Sequence, residues 1–263
     1  FCFQDRKKNP NRMTKEDWLS FLDQIPKNSR VSLTGGEPLL FKGFKEIFFH
    51  ANKKNETNII SNGLMLNEEM TNTLLSQKNF KVLAISIDNI GGTTRDLTEK
   101  QWTELQRNIH NFLKTRKKLN HDAALDIKTV ILDENIGDLF EIHKYMIEKL
   151  NADTHSLQLL KGADIQYSDL MYNYEDINKK YTAHEYKDFD ILIKQLEKIR
   201  KYSLENHPRA YLHPNIISLS SRYEITSEEF GYLNNKHHDK SKFSTCLSPW
   251  TSVHINVDGN IFP

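Results

Sequence analysis

Residues 30–38 read Arg-Val-Ser-Leu-Thr-Gly-Gly-Glu-Pro. Val31 and Leu33 make Arg30–Leu33 a short strand, and Thr34-Gly35-Gly36-Glu37-Pro38 is a turn at its carboxyl end, directly ahead of a helical stretch at Phe44–Asn52. In parallel β/α proteins, ligands sit outside the carboxyl ends of the strands. Two glycines remove the Cβ barrier to close backbone approach, Pro38 removes a competing donor, and Glu37 is placed to face a cationic group. Taken alone, the same turn also reads as a tight connection with a solvated glutamate.

Around this stretch the chain alternates helical and strand-like segments from residue 14 to about residue 205, the pattern of repeated β–α units and a mainly parallel sheet. Thr14, with Glu16 and Asp17 behind it, opens an amphipathic helix that Pro26 stops. Further strands are expected at Thr57–Ile60, Val82–Ile87, Leu125–Ile131 and Ser156–Leu160, and helices at Asn67–Ser76, 98–117, Ile136–Leu150 and Glu185–Glu205. These are five strands, with a sixth expected ahead of residue 1. Lys114, Arg116, Lys117 and Lys118 end a helix, where cations suit the dipole, and read as a solvated end. The polar stretch Lys161–Ala183 holds Tyr167, Tyr172, Tyr174 and Tyr181, which either roof a site or pack a surface. Residues 206–245 show no clear period and read as a linker; His207, His213 and the pair His237–His238 lack metal-ligand spacing and read as surface. In the last stretch, 246–263, Asp258-Gly259 turns a hairpin that begins at Ser252–Val257.

Composition bounds the function. With 263 residues the chain holds one large domain or a domain with an appendage, and a net charge of +1 provides no global field for a polyanion. Nothing approaches the roughly 18 apolar residues of a membrane span, and the opening FCFQDRKKNP has no apolar signal region, so a cytoplasmic protein is expected. Neither a membrane nor a nucleic-acid partner is evident. Two cysteines, Cys2 and Cys246, cannot make a disulfide framework. The chain begins with Phe1 and ends on Pro263, and is expected to be a segment of a longer one.

Gly35-Gly36-Glu37-Pro38 resembles the GGEP motif of radical S-adenosylmethionine (SAM) enzymes, whose partial (β/α)6 TIM-like barrel carries it after the second strand. Ser61-Asn62-Gly63 resembles that family's Thr/Ser-Asn-Gly turn, and Ser86-Ile87-Asp88 its Ser-x-Asp element, with Asn89 in place of Gly. Phe1-Cys2 matches the end of the CxxxCxxC cluster loop, whose other cysteines would lie three and seven residues earlier. Between Cys246 and Gly259 lie 12 residues, and four follow before the end, which resembles the entry hairpin of SPASM and twitch extensions.

The resemblance implies a residue-by-residue site. Cys2 would ligate a [4Fe–4S] cluster and Cys246 an auxiliary Fe–S cluster, with Phe1 beside the first. Glu37 would receive the SAM ammonium, Gly35, Gly36 and Pro38 would shape the approach, and Ser61, Asn62, Ser86, Asp88 and Arg95 would line the nucleoside and carboxylate. Lys128 and Thr129 lie on the next strand, and Asn135 would cap the helix after it. It implies domains at 1–205 (partial barrel), 206–245 (linker) and 246–263 (start of the extension). The implied activity is reductive cleavage of SAM to a 5′-deoxyadenosyl radical that abstracts hydrogen from a peptide or protein, fed by flavodoxin or ferredoxin. Alternatives are a dehydrogenase or epimerase of a small carbohydrate-like metabolite, a clusterless barrel acting as a binding module, or a hydrolase pairing Glu37 with Asp88 from adjoining strand ends.

Overall fold

The computed structural model describes residues 12–160, 186–206, 209–213, 219 and 252–262. Helix α1 (Lys15–Gln24) starts on a reciprocal cap: Thr14 Oγ1 accepts from the Asp17 N–H, and the Asp17 carboxylate accepts from the Thr14 N–H at 2.8 Å. Strand β1 (Arg30–Leu33) follows, then α2 (Phe44–Asn52), β2 (Glu56–Ser61), α3 (Glu68–Leu75), β3 (Phe80–Ser86), α4 (Glu99–Lys118) and β4 (Ala124–Ile131). A 3-10 turn at Ile136–Asp138 leads into α5 (Leu139–Lys144), which ends in a π turn at Tyr145–Lys149. Then come β5 (Thr154–Leu159), α6 (Phe189–Glu205), β6 (Ala210–His213) and the short pair β7 (His254–Ile255) and β8 (Ile261–Phe262).

Strands β1 to β6 form one sheet in chain order with every neighbouring pair parallel, the sheet of a partial TIM-like barrel. Alternation along the strands separates its faces. Ile59, Leu83, Ile85, Leu125 and Ile127 pack with Phe48, Leu74, Leu105 and Phe112 of the helices, while Ile131, Leu157 and Leu212 meet Leu192, Leu196 and Ile199 of α6. Each such burial stabilises the fold by roughly 1.5–3 kcal/mol, which fixes strand register. The opposite, inner face carries Ser32, Asn58, Ser86, Asp126, Lys128 and Ser156. Such polar groups, set among apolar neighbours, are the kind that fix a ligand's orientation in a lumen. Among the described residues, no helix is long and apolar enough to cross a membrane.

The structure revises the sequence reading in four places. The segment read as a linker contains β6, which pairs with β5 from His155↔Ala210 to Gln158↔His213. Pro208 and Pro214 bracket its four residues and leave too short a run for a period to show. Ile136–Leu150 is helical as expected as far as Lys149 but passes from 3-10 through α to π pitch, the Leu150 N–H closing the π turn on Tyr145 O five residues back. Asn135 does not cap that helix with its side chain. Its amide instead donates to Asp88 O and Val130 O, both at 2.8 Å, and accepts from the Leu132 N–H. Finally, Arg116 is no solvated helix end: it pairs with Asp153 and donates to Ala123 O at 2.9 Å.

The terminal hairpin forms as expected but is shorter. Gly259, at φ 87°, makes the left-handed turn, and the Asn256 N–H bonds Asn260 O at 3.0 Å. It docks on the start of α1, where the Met13 N–H donates to Val257 O at 2.7 Å. Phe1, Cys2, Cys246, the four tyrosines of 161–183, His207 and His237–His238 lie outside the described residues.

Candidate active site at the strand ends

The turn after β1 aims one carboxylate across to the end of β2. Gly35 adopts φ 137°, a conformation that favours glycine, and Glu37 then caps the 3-10 turn Pro38–Leu40. Glu37 Oε1 accepts from the Leu39 N–H at 3.1 Å and the Ser61 hydroxyl at 2.8 Å, while Oε2 accepts from the Asn62 N–H at 2.7 Å. A carboxylate has about four acceptor positions, so three protein donors leave one on Oε2. Glu37 is half-buried and Gly36 exposed, so that position is reachable. The arrangement orients the carboxylate and leaves room for one further donor, as an ammonium ligand requires.

The β2 end is equally constructed. Ser61 Oγ donates to Glu37 and accepts from the Gly63 N–H at 2.9 Å, and Asn62 Oδ1 accepts from the Leu64 N–H. Gly63 lies at φ 77°, where a Cβ would stand 2.5 Å from Leu105 Cδ1. Asn108 of α4 holds this turn from behind by donating to Gly63 O at 3.1 Å.

Asp88, just past β3, is fully buried. Its Oδ1 accepts from the Val130 N–H at 2.7 Å, and its Oδ2 is 2.5 Å from Arg95 Nε. Burial pushes its carboxyl above the ordinary carboxylate range, against the pull of Arg95 and the Val130 N–H. Asp88 therefore faces the protein and holds Arg95, whose side chain keeps 28% exposure. The hydrolase reading fails on Asp88, whose carboxylate is fully buried and engaged by the Val130 N–H and Arg95 instead of facing Glu37 as an acid–base partner.

Two clusters on β4 and β5 were invisible as clusters in the sequence. On the inner face, Asp126 accepts from Thr154 Oγ1 at 2.7 Å and Ser156 Oγ at 2.9 Å, and Lys128 Nζ stands 3.2 Å from its Oδ2. Lys128 faces Ser86 on β3 and Ser156 on β5 in register. The polar alternation of Asp126 and Lys128 with Leu125 and Ile127 is the sequence signal that marks an inner face. On the helix side, Thr129 Oγ1 donates to Ile87 O at 2.5 Å, His155 Nε2 lies 2.8 Å from Thr129 Oγ1, and His143 Nδ1 lies 2.9 Å from His155 Nδ1. One proton arrangement serves all the contacts, with His155 Nε2–H donating to Thr129 and His143 Nδ1–H to His155, and leaves the buried His143 Nε2 without a partner among the described residues. Burial holds both imidazoles neutral, lowering His143 to about 4 and His155 well below its ordinary value. Among the described residues, no group of three or more His, Cys, Asp and Glu is placed for a metal ion.

Sheet, turns and polar inner face define a β/α-barrel protein with a candidate ligand site at the carboxyl ends of the first strands. A family model described as the radical SAM superfamily matches residues 1–146. The chain belongs to the radical SAM superfamily. It is 29% identical over 142 residues to the sporulation killing factor maturation protein SkfB of Bacillus subtilis (strain 168), covering 52% of this chain and 33% of SkfB. Its fold is similar to native anSMEcpe with bound AdoMet and Kp18Cys peptide, with a TM-score of 0.52 at 17% identity, covering 76% of this chain and 54% of that one. Native anSMEcpe with bound AdoMet gives a TM-score of 0.51 at 18% identity over the same shares. The chain thus spans a third to about half the length of these relatives.

Proposed function

We propose that this chain carries the SAM site of a radical SAM enzyme of the SPASM/twitch group that abstracts hydrogen from a peptide or protein. The observation that carries the reading is the Glu37 carboxylate, oriented by three protein donors with one acceptor position left. Glu37 binds the SAM ammonium, and the exposed Gly36 backbone lets the ligand approach. Arg95, held by Asp88, faces the methionine carboxylate. Ser61, Asn62 and Ser86 line the path toward the nucleoside.

Cys2 would be a ligand of the [4Fe–4S] cluster, and Cys246 of an auxiliary cluster. When bound, cluster and SAM supply the radical for hydrogen abstraction; the protein contributes orientation and exclusion of water. The electron would come from a donor of the flavodoxin or ferredoxin kind. A peptide or protein substrate is supported by SkfB, a maturation protein, and by the peptide named with anSMEcpe. The hairpin docked at Met13 supports an extension folded back against the barrel.

The test is anaerobic reconstitution of the full-length protein, with iron and sulfide analysis, electron paramagnetic resonance and 5′-deoxyadenosine release from SAM. The expected result is two or three clusters and reductant-dependent release. Protein that stays cluster-free, under conditions that load a known radical SAM enzyme, would overturn the reading.

A further inference from the structure

A net charge of +1 gives the whole chain no field for a polyanion, but the fold sorts its charges by end. Because β1 to β6 are all parallel, every turn that leads from a helix into a strand lies at one end of the sheet, opposite the candidate site. The turns at 25–30, 53–56, 76–81 and 117–123 lead into β1, β2, β3 and β4. They present Lys27, Arg30, Lys53, Lys78, Lys117 and Lys118, all exposed and without a side-chain partner among the described residues. The carboxylates of these turns are Glu56 and Asp122, and Asp122 is taken up by Lys81 at 2.8 Å. The loops leaving the same four strands are acidic, with Asp88, Asp96, Asp133, Glu134 and Asp138 outnumbering Lys42 and Arg95.

The four turns span three strand spacings, about 14 Å along the sheet, so their cations act on a partner together. The composition of the face selects that partner. A protein interface is depleted of lysine and anchored by aromatic residues, methionine or arginine. Here five of the six cations are lysines, and no Phe, Tyr or Trp is exposed in the four turns. The aromatic platforms on which nucleic-acid bases stack are missing for the same reason. A surface of anionic headgroups requires only cations held at one level, each contributing roughly fivefold to partitioning. Leu119, 50% exposed beside Lys118, adds one apolar side chain to bury among the headgroups.

We propose that the helix-to-strand end of the barrel docks this protein peripherally on an anionic lipid surface, through these six cations and Leu119, with the strand-end site turned to the water. The inference stands apart from the SAM reading, because it uses none of the residues of that site.

The test is cosedimentation of the reconstituted full-length protein with two kinds of vesicle, phosphatidylcholine alone and equal parts phosphatidylcholine and phosphatidylglycerol. Binding should be confined to the anionic vesicles and should fall as salt rises. The triple variant Lys53→Gln/Lys117→Gln/Lys118→Gln should bind them about ten- to a hundredfold more weakly. A control that loses the same charge from exposed positions elsewhere, Lys100→Gln/Lys194→Gln/Lys198→Gln, should bind as the parent does. Absence of parent binding to the anionic vesicles, equal binding to both vesicle types, or an equal loss in the two triple variants would overturn the proposal. So would tighter binding to polyuridylate or polyglutamate than to anionic vesicles at equal charge concentration, which would give the face to a nucleic acid or an acidic protein.

Discussion

Strands β4 and β5 carry a buried polar cluster on each face, and the two clusters are built to opposite ends. On the helix side, Ile87 O, Thr129, His155 and His143 form a buried chain in which each contact uses a proton of the following group, and it ends at His143 Nε2, which is buried and has no hydrogen-bond partner among the described residues. On the inner side, Asp126 is saturated, but its partner Lys128 keeps donors pointing into the lumen with 30% of its side chain exposed. Burial of polar groups alone does not mark a site; hydrogen-bond capacity left over and reachable does. The same criterion separates Glu37, with an acceptor position to spare, from Asp88, which is fully buried against Arg95 and Val130.

The sharpest way to break this comparison is to remove the buried helix-side cluster. His155→Ala strands the Thr129 acceptor and the His143 donor in the core and leaves a cavity, an expected loss of about 3–5 kcal/mol by chemical denaturation. SAM affinity of the folded fraction should hold. A loss below about 1 kcal/mol would show that the histidines are not linked as described.

Acid should act on the same side. His143 titrates at about 4 in the fold against 6.5 ordinarily, because burial disfavours its charged form. The unfolded chain therefore takes up a proton first. The stability this contributes is complete above 6.5 and is lost as the pH falls toward 4, on the order of 3 kcal/mol from this group. Denaturation curves across that window check it, and His143→Gln should remove this component of the slope.

A smaller effect is expected at the site's own scaffold. Gly63→Ala forces a side chain onto a backbone at φ 77° and against Leu105, costing roughly 1–3 kcal/mol of stability. It should also weaken SAM, since Ser61 and Asn62 hold Glu37. Unchanged stability would mean that the β2 turn relaxes freely.

How much of this could be read beforehand follows from chain distance. Glu37, Ser61 and Asn62 stand in short motifs at strand ends, where residue type already implies turn geometry, so the site's outline was legible. The contacts among them, such as Asn62 N–H to Glu37, span 25 residues and needed the sheet. Asp126 meets Thr154 and Ser156 only through the β4–β5 register, and nothing local to any of the three announces it. β6 was hidden for a different reason: four residues between prolines become a strand because β5 offers an edge. Asn135 looked like a cap because Asn precedes a helix, yet burial beside Asp88 O and Val130 O drew its amide inward.

The placement of SAM across the strand ends depends on Glu37, and one measurement reaches it directly: equilibrium SAM binding to reconstituted parent and Glu37→Gln proteins of equal cluster content. The substitution removes the charge that meets the ammonium and turns an amide donor toward the Asn62 N–H or the Ser61 hydroxyl. The expected loss is about 1.5–3 kcal/mol, ten- to a hundredfold in affinity, with iron and sulfide unchanged. Equal affinities in the two proteins would contradict it.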